Sequence, residues 1–135
     1  MRESLGRQTF MTTLGARLVH VAPGEVDLAF DARPDLLQQN GFVHAGVLSA
    51  VADSANGYAA FTLAAAGTDV LAVEFKINLL APARAPSFVA RGRVLRAGRT
   101  LTVGRADVFA APDGDRDATL VATMQSTIIV LPRRE

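Results

Sequence analysis

Polar and apolar positions alternate with a period of two through most of this chain and stop alternating in one long stretch. In "EVDLAFDA", Val26, Leu28 and Phe30 alternate with Glu25, Asp27 and Asp31, the pattern of a strand with one buried face. With "ARLVHV" before it and the turn "APGE" between, this predicts an N-terminal hairpin. In "DVLAVEFKINLLAP", Leu71, Val73, Phe75, Ile77 and Leu79 fall on one face and Ala72, Glu74, Lys76 and Asn78 on the other. After a Pro82–Pro86 corner, "SFVARGRVLRA", "LTVGRADVFAA" and "ATLVATMQSTIIVL" read as three more strands, joined by the turns "AGRT" and "PDGD". Long strands on short turns predict an antiparallel meander. The opening "RESLGRQTFMTTLG" predicts a short leading helix ended by Gly15, and "RPDLLQQNGF" a loop broken at Pro34 and Asn40-Gly41.

The exception is "GFVHAGVLSAVADSANGYAAFTLAAAG", residues 41–67. It predicts one long helix from about His44 to Ala66, stopped by Gly67. It approaches the roughly 20 residues of a membrane span, but it carries His44, Asp53, Asn56 and Gly57 and is followed by strands, so it reads as the buried helix of a soluble protein. Hairpin, helix and strand run together predict a single α+β domain, 1–135, with the helix on one sheet face.

Composition narrows the function. Half the 135 residues are hydrophobic, enough for a core. Fourteen basic and thirteen acidic residues leave a net charge of +1, no footprint for nucleic acid. Without cysteine there is no disulfide, thiolate metal site or cysteine nucleophile. The first residues lack the apolar core of a signal peptide, and the expected location is the cytoplasm. Two histidines without a neighbouring acidic cluster predict no metal site.

Asp53 is the only formal charge between Leu36 and Thr68. On a helix it lies in the row Ala45, Ser49, Asp53, Gly57, with Asn56 beside it. A solvated helix edge would carry Lys, Glu or Arg, and none occurs there. A structural carboxylate bonded to neighbouring backbone is the other plain reading, and a perturbed functional carboxylate the third. The preceding "QQNGFVHAG" adds amide side chains and the free N–H groups of a helix start, a place for an oxyanion. A carboxylate plus an oxyanion hole is the minimum for attack on an acyl carbonyl. Yet Ala45 and Asp53 are eight residues apart, roughly 12 Å along a helix. Two antiparallel helices across a two-fold axis would bring one chain's helix start to the other's Asp53, so the site, if real, requires a dimer.

The layout "LLQQNGFVHAGVLSAVADSANGYAA … VEFKINLLAPA … GRVLRAGRTLTVGRADV" resembles the hotdog-fold acyl-CoA thioesterases of the PaaI-like, phenylacetate-pathway type, over about Arg17–Val130. The resemblance implies a long central helix wrapped by an antiparallel sheet, and homodimers that join sheets edge to edge; pairing of such dimers into a dimer of dimers is a further expectation. It implies that Asp53 acts as nucleophile or as general base for water. The N–H at Ala45, with Gly46 beside it, would polarise the thioester carbonyl from the other subunit. Gln38 or Asn40 would lie near the reacting group, and His44 would hold the loop. The turn here is His44-Ala45-Gly46, with Ala45 in place of a glycine; Gly57 and Ala72 stand where relatives carry hydroxyls. No cofactor is implied, coenzyme A being part of the substrate.

Substrate contacts are expected from Ser49, Asn56, Tyr58, Lys76, Asn78, Arg99 and Thr100, the last two in the "RAGRT" turn. Arg91, Arg93 and Arg96 read as a solvated strand edge or as phosphate ligands, the former being commoner. The favoured activity is hydrolysis of aryl- or short- to medium-chain acyl-CoA. A non-catalytic acyl-CoA-binding protein is the alternative, motivated by the missing hydroxyls, and a hydratase on the same fold ranks last.

Overall fold

A computed structural model describes residues 1–111 and 118–133. Two short helices, α1 (Arg2–Arg7) and α2 (Thr9–Leu14), precede a hairpin of β1 (Arg17–Ala22) and β2 (Glu25–Asp31). The long helix α3 (Ala45–Phe61) follows, then β3 (Thr68–Leu79), β4 (Ser87–Ala97), β5 (Leu101–Ala110) and β6 (Thr119–Pro132). The leading helix is broken in two at Gln8, and Gly15 ends the second half in the left-handed region, φ 70°. The "PDGD" turn lies outside the described residues.

All six strands form one antiparallel sheet in the order β1-β2-β4-β5-β6-β3. The α+β expectation holds, but the meander holds only for β4-β5-β6. Strand β3 pairs with β6 at the far edge, leaving β2 to pair with β4. The chain reaches that edge along α3 and returns through residues 80–86. Those residues span three strand spacings, roughly 14 Å, and are pinned as they cross. Leu80 N–H donates to Val121 O, and Val43 N–H, just ahead of α3, donates to Ala83 O at 2.9 Å.

The helix lies on a track of small residues. Register aligns Val26, Gly92, Ala106, Met124 and Ile77 in one row across the sheet, and Val94, Gly104, Ser126 and Phe75 in the next. An ideal Cβ on Gly92 would come within 2.4 Å of the Ala55 carbonyl oxygen, and one on Gly104 within 2.6 Å of Asn56 Oδ1. Bulk is kept to the flanks, where Phe30 and Phe88 stack at 5.2 Å between ring centroids. Val47, Leu48, Val51, Ala52, Ala55 and Ala59 make the buried helix face.

Two expectations are corrected. Helix α3 stops at Phe61, not Ala66: Thr62 Oγ1 donates to Ala59 O and accepts the Gly24 N–H, ending the helix by side-chain bonding. Gly67, at φ 79°, sits in the turn before β3 rather than stopping the helix. In β3, a bulge at Val73 interrupts the alternation: Ala72 pairs with Ile128 but Glu74 with Thr127. Paired residues share a face, so Ala72 joins buried Ile128 on the helix side and Leu71 moves to the other.

Because the Ala55 backbone cannot recede from Gly92, Gly92→Ala should destabilise the protein by about 1–3 kcal/mol, read as a lower urea midpoint at unchanged slope. Gly57, in the same helix, meets nothing within 4 Å. There Gly→Ala should stabilise by roughly 0.5–1 kcal/mol. Equal midpoints for the two variants would contradict the close seating of α3.

Candidate active site

The seating of α3 fixes which residues can meet a substrate. With Ala55 and Asn56 pressed on the sheet, the row Ala45, Ser49, Asp53, Gly57 falls at the helix edge, half-buried. Asp53, Gly57 and Tyr58 line a cavity of about 390 Å3 together with Val70 and Ala72 of β3 and Ser4 and Gln8 of the N-terminal segment. Burial pushes the Asp53 carboxyl above the ordinary aspartate range. None of the salt bridges or side-chain hydrogen bonds found among the described residues involves Asp53, unlike the structural carboxylates Asp27 and Asp107, which are paired with Arg93 and Arg105.

The other half of the expected chemistry sits at the start of α3. His44 is the N-cap, and its Nδ1 accepts the Gly46 N–H at 2.8 Å. An accepting Nδ1 places the neutral ring's proton on Nε2. Val47 and Leu48 N–H groups donate to His44 O. Of the first four helical amides, Ala45 alone has no acceptor among the described residues. The expected pair of oxyanion amides therefore reduces to one, because His44 takes the N–H of Gly46. No residue other than glycine has positive φ among those described, so alanine is unstrained at position 45.

The loop before the helix is closed on itself. Gln38 N–H donates to Phe42 O, Gly41 N–H to Gln38 O, and the Gln38 side-chain oxygen accepts the Asn40 N–H. Gly41 makes the turn at φ 80°, and the Arg84 guanidinium lies 5.0 Å from the Phe42 ring centroid. Gln38, Asn40, His44 and Ala45 thus form one rigid end.

Several expected contacts lie elsewhere. Asn56 is fully buried, donating to Ser126 Oγ at 2.8 Å. It faces the sheet because it is one helical turn from Ala52 and Ala59 on the pressed face, so it is a packing residue rather than a cavity one. Ser49 Oγ donates back to Ala45 O at 2.8 Å. Lys76 and Asn78 are on the open face of the sheet, in a polar depression with Glu74, Arg105 and Gln125. There the sheet separates them from Asp53. Arg99 and Thr100 are exposed at the β4–β5 turn; Val130 N–H donates to Thr100 O. Register puts that turn near the start of β3, since Leu101 and Leu71 both pair with Ile129. Arg93 is a cross-strand ion-pair partner of Asp27 and Glu25, and Arg91 stacks on Phe109 at 4.8 Å.

Ser4, Gln8 and Asp69 line the cavity without having been singled out in the sequence. No local signal in "RESLGRQ" says which part of the sheet it will cover. Ala72 was expected there only by resemblance, and the bulge supplies the reason. Among the described residues no cluster of His, Cys, Asp and Glu could hold a metal ion, and no helix is long and apolar enough to cross a membrane.

A helix on an antiparallel sheet, with a half-buried acid at its edge and an amide at its start that has no acceptor among the described residues, defines a class that comparison identifies. The profile of the Thioesterase superfamily matches residues 40–116. The chain belongs to that superfamily, with the hotdog fold, and is by class a thioester hydrolase. A thioesterase family protein from Silicibacter pomeroyi is 46% identical, with a TM-score of 0.93 over 98% of this chain and 96% of that one. A variant of the phenylacetic acid degradation protein PaaI from Thermus thermophilus is 30% identical, with a TM-score of 0.78 over 90% and 97%. Thioesterase HI1161 from Haemophilus influenzae, 20% identical with a TM-score of 0.87 over 100% and 93%, shares the fold.

The raised Asp53 pKa has a consequence for stability. A folded pKa above the unfolded one means that the folded state binds the proton more tightly. The stability contributed is complete below the unfolded pKa, falls as pH rises to the folded pKa, and stays low above it. Asp53→Asn should therefore unfold at higher urea than wild type at neutral pH, with the gap narrowing towards about pH 4. A gap independent of pH would place the carboxyl in water.

Proposed function

We propose that this protein hydrolyses acyl-CoA thioesters at two equivalent sites, each built from Asp53 of one subunit and the Ala45 N–H of another. The observation that carries the reading is the division of labour along α3: a partly desolvated carboxylate without an ion partner, and a helix-start amide without an acceptor, among the described residues. Eight residues, roughly 12 Å of helix, keep them from serving one carbonyl within a chain.

The free edge of the sheet supports assembly. On β3 and just after it, Leu71, Val73, Phe75, Leu79 and Leu80 are between 46% and 59% exposed. An unpaired, apolar edge strand is a template for pairing, and here the proposed occupant is β3 of a second copy. Antiparallel association across that edge also sets the α3 helices side by side in opposite directions.

In the reaction, the Ala45 N–H and the positive end of α3 stabilise charge that develops on the thioester oxygen. Asp53 as base takes a proton from water while the water oxygen forms its bond to the carbonyl carbon. The C–S bond then breaks, and the thiolate of coenzyme A leaves and is protonated. As nucleophile, Asp53 would itself bond to that carbon, expel the thiolate, and be freed by water. A raised pKa makes the carboxylate the stronger base once ionised. His44 and Gln38 position the amide by holding the loop and the cap. The cytoplasm, where acyl-CoA is found, is the proposed compartment.

Ala45 is the first helical residue, where proline is tolerated, and His44 at φ −61°, ψ 138° already has the backbone that precedes proline. Ala45→Pro should thus remove the N–H with little loss of fold and lower kcat by roughly 100- to 1000-fold. Asp53→Asn should lower it by at least about 100-fold. Mixed dimers of the two variants should recover activity, since one of their two sites then has both groups intact. No recovery on mixing, with dimers formed, would place both groups in one chain. Equal rates for Asp53→Asn and wild type would leave an acyl-CoA-binding protein whose acid is not catalytic.

A further inference from the structure

The wall of the Asp53 cavity that faces α3 comes from the N-terminal segment. Helices α1 and α2 meet at Gln8, whose side chain caps neither of them. Instead Ser54, adjacent to Asp53, donates its hydroxyl to Gln8 Oε1 at 3.3 Å. Four residues earlier, Ser4 Oγ and Tyr58 Oη are 3.3 Å apart. Gly57 lies between these two ties, and a Cβ there would meet nothing within 4 Å. The segment thus bridges a hollow that the absent side chain of Gly57 leaves open. Its backbone is pinned on both sides of Gln8 by Leu5, Met11 and Leu14, all buried. Its polar tips are held more loosely, both bonds being at the long end of the hydrogen-bond range.

We infer that this strap closes the far end of the acyl cavity and sets the length of acyl group accepted, with Ser4 and Gln8 as specificity-determining residues. The inference rests on the acyl-thioester reading of Asp53. Tyr58 is five residues beyond Asp53, roughly 7.5 Å along the helix towards its C-terminus. An acyl chain that starts at Asp53 and follows the hollow over Gly57 meets the Ser4–Tyr58 pair there. Val70, Leu71 and Ala72 of β3 and Phe61 give the cavity its apolar lining, beside the polar Gln8 and Ser54. To go further the acyl chain must separate the paired hydroxyls and leave them without partners, a penalty that grows where water is excluded. Acyl groups that end short of the pair are accommodated; longer ones are opposed.

Two changes at the strap should act in opposite directions, which general damage cannot imitate. Ser4→Trp fills the end of the cavity and should lower the ratio of kcat/KM for decanoyl-CoA over butyryl-CoA about tenfold or more. The double variant Ser4→Ala, Tyr58→Phe makes the end wall apolar and should raise the same ratio. Gln8→Phe should follow Ser4→Trp and covers the case in which that variant does not fold. Calorimetric affinities for non-hydrolysable thioether analogues of the two acyl-CoAs should move in parallel. An unchanged ratio in every folded variant, with wild type active, overturns the strap inference and leaves the hydrolase reading standing. A wild-type protein that neither binds nor cleaves any acyl-CoA overturns both.

Discussion

Helix α3 meets the sheet with its backbone at Gly92 and with the Asn56 side chain at Gly104, and the placement of every functional group on the helix depends on that contact. Any side chain at Gly92 would collide with the Ala55 carbonyl, and one at Gly104 with the Asn56 amide. The helix is therefore held at one height and one rotation. Rotation decides function here, because neighbouring residues of α3 have opposite fates. Asn56 is sealed against Ser126, with its Oδ1 left without a hydrogen bond among the described residues; Asp53, three residues earlier, remains at the edge beside a cavity. A turn of the helix by one position would bury the charge or drown it.

That placement leaves Asp53 partly dehydrated, the condition for a carboxylate that is basic yet reachable. The same helix supplies an amide at its start, left free because His44 satisfies Gly46 and the His44 carbonyl satisfies the next two. Among the described residues Asp53 is partly desolvated without an ion partner, and the Ala45 N–H has no acceptor. Proteins tolerate such pairs where a ligand completes them. Helical rise keeps them apart within the chain, which is why the proposed reaction draws its second group from another copy. The open face of the sheet, by contrast, is settled internally. Arg93 pairs with Asp27 and Glu25 across strands, and Arg105 with Asp107 along β5.

What the sequence determined by itself was local. Alternation in β2 and the strands after β3 reflects one wet and one dry face, and the predominantly apolar run of α3 reflects a helix dry on most sides. Asp53 was legible as the one charge in that run, His44-Ala45-Gly46 as a helix start, and the motif order as the family. Each depends on neighbours within a few positions, which is the range over which sequence periodicity carries information. Tertiary structure decided the rest. The exchange of β3 to the far edge depends on where the chain crosses, which no local pattern encodes. The bulge at Val73 inverts the faces of Leu71 and Ala72 by inserting one residue against β6. The burial of Asn56 depends on glycines 36 and 48 positions away, and the wall made by Ser4 and Gln8 on a segment some 50 residues from Asp53 in the chain. Such contacts are set by packing between elements, and the sequence of either element alone is silent about its partner.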